Sequence, residues 1–353
     1  MEEAGYPLFQ RNDEFWYPDG NVILVAGTAG FKVYRGQLSN HSDVFRDMLE
    51  IPQPNEVEEI EGCPVVQLHD QPRDLVFLLR VLFPGALTCL QLIGRPQFSA
   101  VSAWVRLGDK YHITSLRDQG LKWLKEGFTG DLPASFTTVE EYLKSASIHM
   151  ELRDALAVVY LARLTDTQSL LPLVFYMCCQ LEPADILQRV TANVVHEQMS
   201  PSDAATCIQG ATLLSGATAH AYIRILSPDA ETTYKFRAVG NCANQGRCRN
   251  KRDKLLHDVS GELVALRDQG ITSSAALDDW SVFLEKMGQE PDSMCVACKE
   301  LARLTSLEER ASIWQQLPGY FGLPGMNLLS CPMDRCTGGG PHQLGPTSPM
   351  SAL

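Results

Sequence analysis

The chain has 353 residues, 42 of them acidic against 30 basic, for a net charge of −12 at pH 7. That length suits two or three domains with a substantial core, and the charge argues against non-specific attraction to phosphate backbones or anionic membrane surfaces. Eleven cysteines is an odd number, and the N-terminus shows neither a basic region nor an apolar run, so a disulfide framework is not expected and a reducing compartment, cytoplasm or nucleus, is. The longest apolar stretches, near residues 155–164 and 170–181, fall short of the ~20 residues of a bilayer span and predict core helices, with no membrane partner.

Residues 1–14 read as a flexible arm. Val22 to Ala26 is a β-branched and aliphatic run, Gly27-Thr28-Ala29-Gly30 supplies a turn, and Phe31-Lys32-Val33-Tyr34-Arg35 returns with alternating polarity, which together predict a hairpin. Helix follows at once: Leu38, Val44, Phe45, Met48 and Leu49 recur at spacings of three and four, and Ser42 before Asp43 has the chemistry of an N-cap. Glu56, Glu58, Glu59 and Glu61 fall in an acidic surface loop. Val65-Val66-Gln67-Leu68 predicts a further strand. Pro72 opens a helix carrying Leu75, Leu78, Leu79, Leu82 and Phe83, which Pro84-Gly85 ends. Residues 99–111 and 114–124 supply two more amphipathic helices.

These pieces, in this order, resemble the BTB/POZ domain over residues 15–127. The resemblance is carried by Asp19 ahead of the first strand, Phe31-Lys32-Val33-Tyr34-Arg35 with Tyr34 where a His is usual, and Leu38. It continues through Ser42-Asp43-Val44-Phe45-Arg46-Asp47-Met48-Leu49, Leu68 with Asp70, and Val105-Arg106-Leu107-Gly108-Asp109-Lys110-Tyr111-His112-Ile113 followed by Leu116. It implies an α+β class, with a small sheet and packed helices at the N-terminus and a mostly α-helical extension behind them. It also implies a non-catalytic protein-interaction or scaffold role, with proteins as partners, including a second copy through the BTB domain. Phe15, Trp16 and Tyr17 stand where large aromatics would gain from burial, against a partner or within their own chain. A narrower implication is a substrate adaptor of a cullin-RING ubiquitin ligase. Residues 84–125 contain no Glu, however, so the cullin-contact motif of such relatives is not evident.

Beyond Thr129-Gly130-Asp131-Leu132-Pro133 helical patterning dominates, and residues 133–237 read as a helical region placed like the BACK region of larger BTB proteins. Thr138 with Glu141 forms a capping box, and Ser200-Pro201-Ser202-Asp203 opens a long helix. Residues 238–325 form a Cys-containing helical region with helices near 254–266, 275–287 and 293–304 and another capped by Ser306 and Glu309. Residues 326–353, rich in Gly, Pro and Ser, read as a disordered tail. The whole layout resembles the BTB-domain proteins common in mushroom-forming fungi, a set defined by architecture rather than by an activity.

The constellation with ligand character is Cys242-x5-Cys248 and Cys295-x2-Cys298. Cys-x-x-Cys lets one turn or helix start offer two thiolates to a tetrahedral ion, so a structural zinc site is one reading. Buried packing thiols and a redox-active pair remain beside it. Cys331 and Cys336 form a second, more isolated pair. Arg247, Arg249, Lys251, Arg252 and Lys254 suit a solvated helix face better than a nucleic-acid contact, although with zinc they would fit a regulator of transcription. His196-Glu197 lacks the second His of a zinc-protease motif, since position 200 is Ser. Neither G-x4-G-K-[ST] nor G-x-S-x-G occurs, so no catalytic residues and no organic cofactor are expected.

Overall fold

A computed structural model describes residues 9–50, 59–84, 94–128, 136–191, 197–228, 241–262, 274–280 and 294–323. It is mixed α+β, a small five-stranded sheet near the N-terminus followed by helices. The strands are β1 (Gln10–Trp16), β2 (Val22–Ala26), β3 (Ala29–Val33), β4 (Glu59–Ile60) and β5 (Cys63–Leu68), in the spatial order β1-β3-β2-β5-β4. The hairpin of β2 and β3 is antiparallel, with Leu24 opposite Phe31 and Val22 opposite Val33, and its turn narrows to Gly27-Thr28 with Gly27 at φ +53°. β5 runs parallel to β2.

Every residue of β2 is buried, which requires cover on both faces of the sheet. Alternation puts Val22, Leu24, Phe31 and Val33 on one face, all fully buried, and Ile23, Val25 and Lys32 on the other. Phe9, Cys63, Trp16, Ile60 and Val65 close that second face around Ile23 and Val25. The residues of β1 therefore belong to the sheet: residues 10–14, expected in a flexible arm, pair parallel with β3, Gln10 with Ala29 and Arg11 with Gly30. The sequence hid this strand because its residues are polar and mostly exposed, as on a protected edge. Lys32 is buried on the second face, where its Nζ donates to the Pro18 carbonyl at 3.1 Å and to Glu61 Oε2 at 3.0 Å. Glu61 also takes Arg11 at 2.6 Å, so this acidic residue is paired rather than merely solvated.

The helices α1 (Arg35–His41), α2 (Asp43–Glu50), α3 (Pro72–Leu82), α4 (Phe98–Lys110) and α5 (Thr114–Phe128) follow. Ser42 caps α2 as expected, accepting from the Phe45 backbone N–H at 3.0 Å, and its hydroxyl donates to the Tyr111 carbonyl at 2.6 Å. Leu38, Phe45, Leu68, Leu79 and Leu107 are buried; Leu49, which shares the apolar spacing of Leu38 and Phe45, is only half-buried. α4 and α5 cross closely because Gly108 lies against the Arg117 backbone, where a Cβ would sit 2.7 Å from the amide nitrogen.

The chain next forms α6 (Val139–Ser145), α7 (Ala155–Leu164), α8 (Leu171–Cys178), α9 (Pro183–Thr191), α10 (Pro201–Leu226), α11 (Gln245–Glu262) and α12 (Val296–Tyr320). All eight residues of α8 are buried, as an all-apolar helix requires. No helix among the described residues is long and apolar enough to cross a membrane. Ser200 caps α10 through the Asp203 backbone N–H at 3.0 Å, as its sequence predicts.

Two compact units result. One comprises Met1–Thr129, Val139–Leu213 and Phe321–Leu323, so the helices between Val139 and Leu213 belong to one unit with the N-terminal sheet. The other comprises Gly130–Thr138, Leu214–Tyr320 and Pro324–Leu353. In this second unit the buried Arg310 donates to the carbonyls of Leu277 (2.8 Å) and Phe136 (2.6 Å), tying two short segments to α12. Ser306 does not start a helix: it is buried in the middle of α12, which continues through Pro318 to Tyr320. Residues 274–280 form turns, not the start of a helix. The expected tail at 326–353, the arm up to residue 8, the acidic residues before Glu59, Gly85, the 129–133 turn and the rest of the 275–287 helix lie outside the described residues.

Phe45→Ala should cost about 3–5 kcal/mol in chemical denaturation, because the ring is fully buried and stacks on Tyr111 at 4.2 Å. Gly108→Val should cost about 1–3 kcal/mol or more in the same measurement, since the colliding atoms are backbone and cannot rotate away.

Candidate metal centre

Asn244 accepts the Arg247 backbone N–H on its Oδ1 at 3.0 Å and so caps α11. Cys242 is thereby left just ahead of the helix and Cys248 falls in its first turn. The wide C-x5-C spacing is that of a cap plus one turn. α12 repeats the arrangement: Cys295 directly precedes it, accepting the Lys299 N–H on its carbonyl at 3.1 Å, and Cys298 lies in the first turn. Two helix N-termini therefore present two sulfurs each.

All four sulfurs lie within 4.8 Å of one another, and Cys242 and Cys295 are 3.8 Å apart. A disulfide holds its sulfurs at about 2.05 Å, and these thiols are free. The edge of a tetrahedron built on Zn–S bonds of about 2.3 Å is about 3.8 Å. Backbone N–H groups point at the sulfurs as well: Cys295 N–H donates to Cys248 Sγ at 3.3 Å, and those of Cys298 and Ala243 reach the Cys295 sulfur. Burial opposes ionisation of Cys295, but these donors and the neighbouring sulfurs bring its thiol down to about 6. Burial holds Cys248 and Cys298 up.

Spacing along the chain marks the four cysteines but not their setting. Met294 joins Cys248 and Cys298 as the buried part of this corner, with Cys242 and Cys295 half-buried against them. Cys63, Cys178, Cys179 and Cys207 behave differently. They are buried packing thiols; Cys179 donates to the Cys207 carbonyl at 3.2 Å, and burial pushes the thiols of Cys178 and Cys179 up. Cys331, Cys336 and His196 lie outside the described residues. The cationic residues Arg247 and Arg249 on α11 are exposed, and Arg249 lies 3.9 Å from Asp253.

Two other features of the first unit invite a functional reading. A cavity of about 260 Å³ is lined by Asp74, Arg106, Asp154, Arg189 and Glu197 among others. Its charges neutralise one another: Arg106 bonds Asp74 at 3.0 Å and Glu197 at 3.3 Å, and Arg189 bonds Glu197 at 2.7 Å. Such alternation serves as a clamp, since Asp74, Arg106, Glu197 and Arg189 are each engaged by a neighbour of opposite charge. The second feature is an open apolar groove of about 370 Å³ formed by Tyr17, Tyr34, Gln37, Leu82, Phe83 and Pro84. Tyr17 stacks on Tyr34 at 5.0 Å, and Phe83 lies 6.0 Å from Tyr17. No protein-family model, curated protein or solved structure matches this chain.

If the charged cavity is a clamp, Arg106→Met should lower stability by about 3–5 kcal/mol, because Asp74 and Glu197 would remain buried without their shared cation. Denaturant midpoints of the variant and parent chains measure this. A stability gain would instead mark the arginine as strained for binding.

Proposed function

We propose that this chain is a non-catalytic protein-interaction protein whose N-terminal unit has the BTB/POZ fold and associates with a second copy of itself. One observation carries this reading: residues that carry the BTB/POZ resemblance in the sequence touch each other. Tyr34, in place of the usual His, donates its hydroxyl to Asp19 at 2.6 Å. Asp70 accepts Lys110 Nζ at 2.7 Å and the Tyr111 hydroxyl, and Tyr111 stacks on Phe45. Five scattered pieces thus meet in two sets of contacts, Asp19 with Tyr34 and Asp70 with Lys110, Tyr111 and Phe45, as they would if they described one fold. The aromatic groove beside Tyr17 and Tyr34 offers apolar surface at which a partner gains from burial.

A helical extension in the same compact unit as the sheet suits a scaffold, and it also suits an adaptor that presents other proteins to a cullin. Sedimentation of the intact chain should give a dimer, and Phe83→Asp should shift it toward monomer by about tenfold or more in dissociation constant. Affinity capture from native cells separates the alternatives: a cullin among the captured proteins makes the chain an adaptor. Monomeric behaviour at all concentrations, together with capture of nothing, would sink the interaction reading.

A further inference from the structure

We infer that Cys242, Cys248, Cys295 and Cys298 bind one structural zinc ion that fastens the N-terminus of α11 to that of α12. The inference is independent of the interaction reading and rests on the second unit alone. The sulfurs come from segments 47 residues apart in the contact between Cys248 and Cys295, yet all four converge within 4.8 Å. Packing thiols have no reason to converge in fours; among the described residues this is the one such group of potential metal ligands. Cysteine sulfur is soft, and four such donors around one centre select zinc or iron over magnesium and calcium. The spacing matches a single ion. An iron–sulfur cluster would set inorganic sulfide and several irons between the thiolates and spread them further.

The surroundings match the charge of the bound state. Four thiolates and one Zn²⁺ carry a net charge of −2, and two helix N-termini face it with their positive ends. Arg247, Arg249, Lys251, Arg252 and Lys254 add positive charge along α11. Backbone N–H donors to Cys248 and Cys295 supply the outer hydrogen bonds that orient metal-bound sulfurs. On binding, each thiol still protonated releases its proton to solvent, and the ion takes the place of those protons.

The corner also has little else to hold it. Its local buried cluster is Cys248, Met294 and Cys298, with the two remaining cysteines packed at its side. An ion bonded to all four sulfurs provides the cross-link that this small apolar cluster lacks. All four ligand positions are filled by protein, which leaves no open site for substrate and makes the role structural.

The test uses the purified full-length chain. Elemental analysis should find about one zinc per chain, released together with about four reactive thiols on treatment with a mercurial reagent. After chelation, cobalt should restore the visible spectrum of a tetrahedral four-thiolate complex, and amide exchange over residues 241–256 and 294–300 should rise by about tenfold or more in the metal-free chain. Cys295→Ser combined with Cys298→Ser should abolish stoichiometric zinc, whereas Cys207→Ser should retain it. If the double variant does not fold, cobalt titration of the parent chain still decides. Iron in place of zinc, zinc retained by the double variant, or a metal-free chain that yields no tetrahedral cobalt spectrum would each overturn the inference.

Discussion

The N-terminal unit hangs on one carboxylate. Asp70 sits just past the end of β5, almost fully buried, and a charge in that position is tolerable only if donors replace the water it has lost. Lys110 and the Tyr111 hydroxyl, both from the end of α4, do so. Burial and then the bond to Asp70 push the Tyr111 hydroxyl well up from its ordinary value, so the phenol keeps its proton and remains a donor. The Tyr111 ring stacks on Phe45, and its carbonyl accepts Ser42, which in turn caps α2. One side chain thus joins the end of β5 to α4 and, through Tyr111, to α2. Local choices made far apart in sequence agree with one another there, as a uniquely folding chain requires.

Two kinds of polar network follow from the same rule. In the cavity between α3, α4 and Glu197, acids and bases alternate along Asp74, Arg106, Glu197 and Arg189, so that each of these charges has a partner. In the second unit, a single guanidinium serves instead. Arg310 satisfies the Leu277 and Phe136 carbonyls with rigidly spaced donors, so one side chain ties both short segments to α12. Tyr222 stacks on Trp280 in the same unit, with ring centroids 4.1 Å apart, and adds apolar contact.

What was legible in the sequence was whatever local chemistry determines. The β2–β3 hairpin could be read because apolar residues need burial and Gly27 can take a positive φ; Ser42 and Ser200 could be read because their hydroxyls cap helices. β1 could not, since its strand is made by pairing with β3 and not by the propensity of Gln10, Arg11 or Asn12. Ser306 misled because a helix start and a helix middle can carry the same residues; burial among the neighbours of α12 decided for the middle. The cysteines were visible as two pairs by spacing. Their convergence was not, because it depends on where α11 and α12 meet, and the role of Asn244 in setting the wider spacing emerges only with the helix start in view.

Lys32 carries a consequence for how the hairpin finds its partners. A strand that slips by one residue turns each side chain to the opposite face. In the observed register Lys32 reaches Pro18 and Glu61 at the rim, while Phe31 and Val33 point into the fully buried layer. Shifted by one, the ammonium would be driven into that layer without a carboxylate, and two large apolar groups would be expelled from it. A uniformly apolar strand would tolerate several alignments with nearly equal energy. The lysine makes each one-residue slip costly, so the charge acts less as a bond than as a veto on wrong pairings during folding.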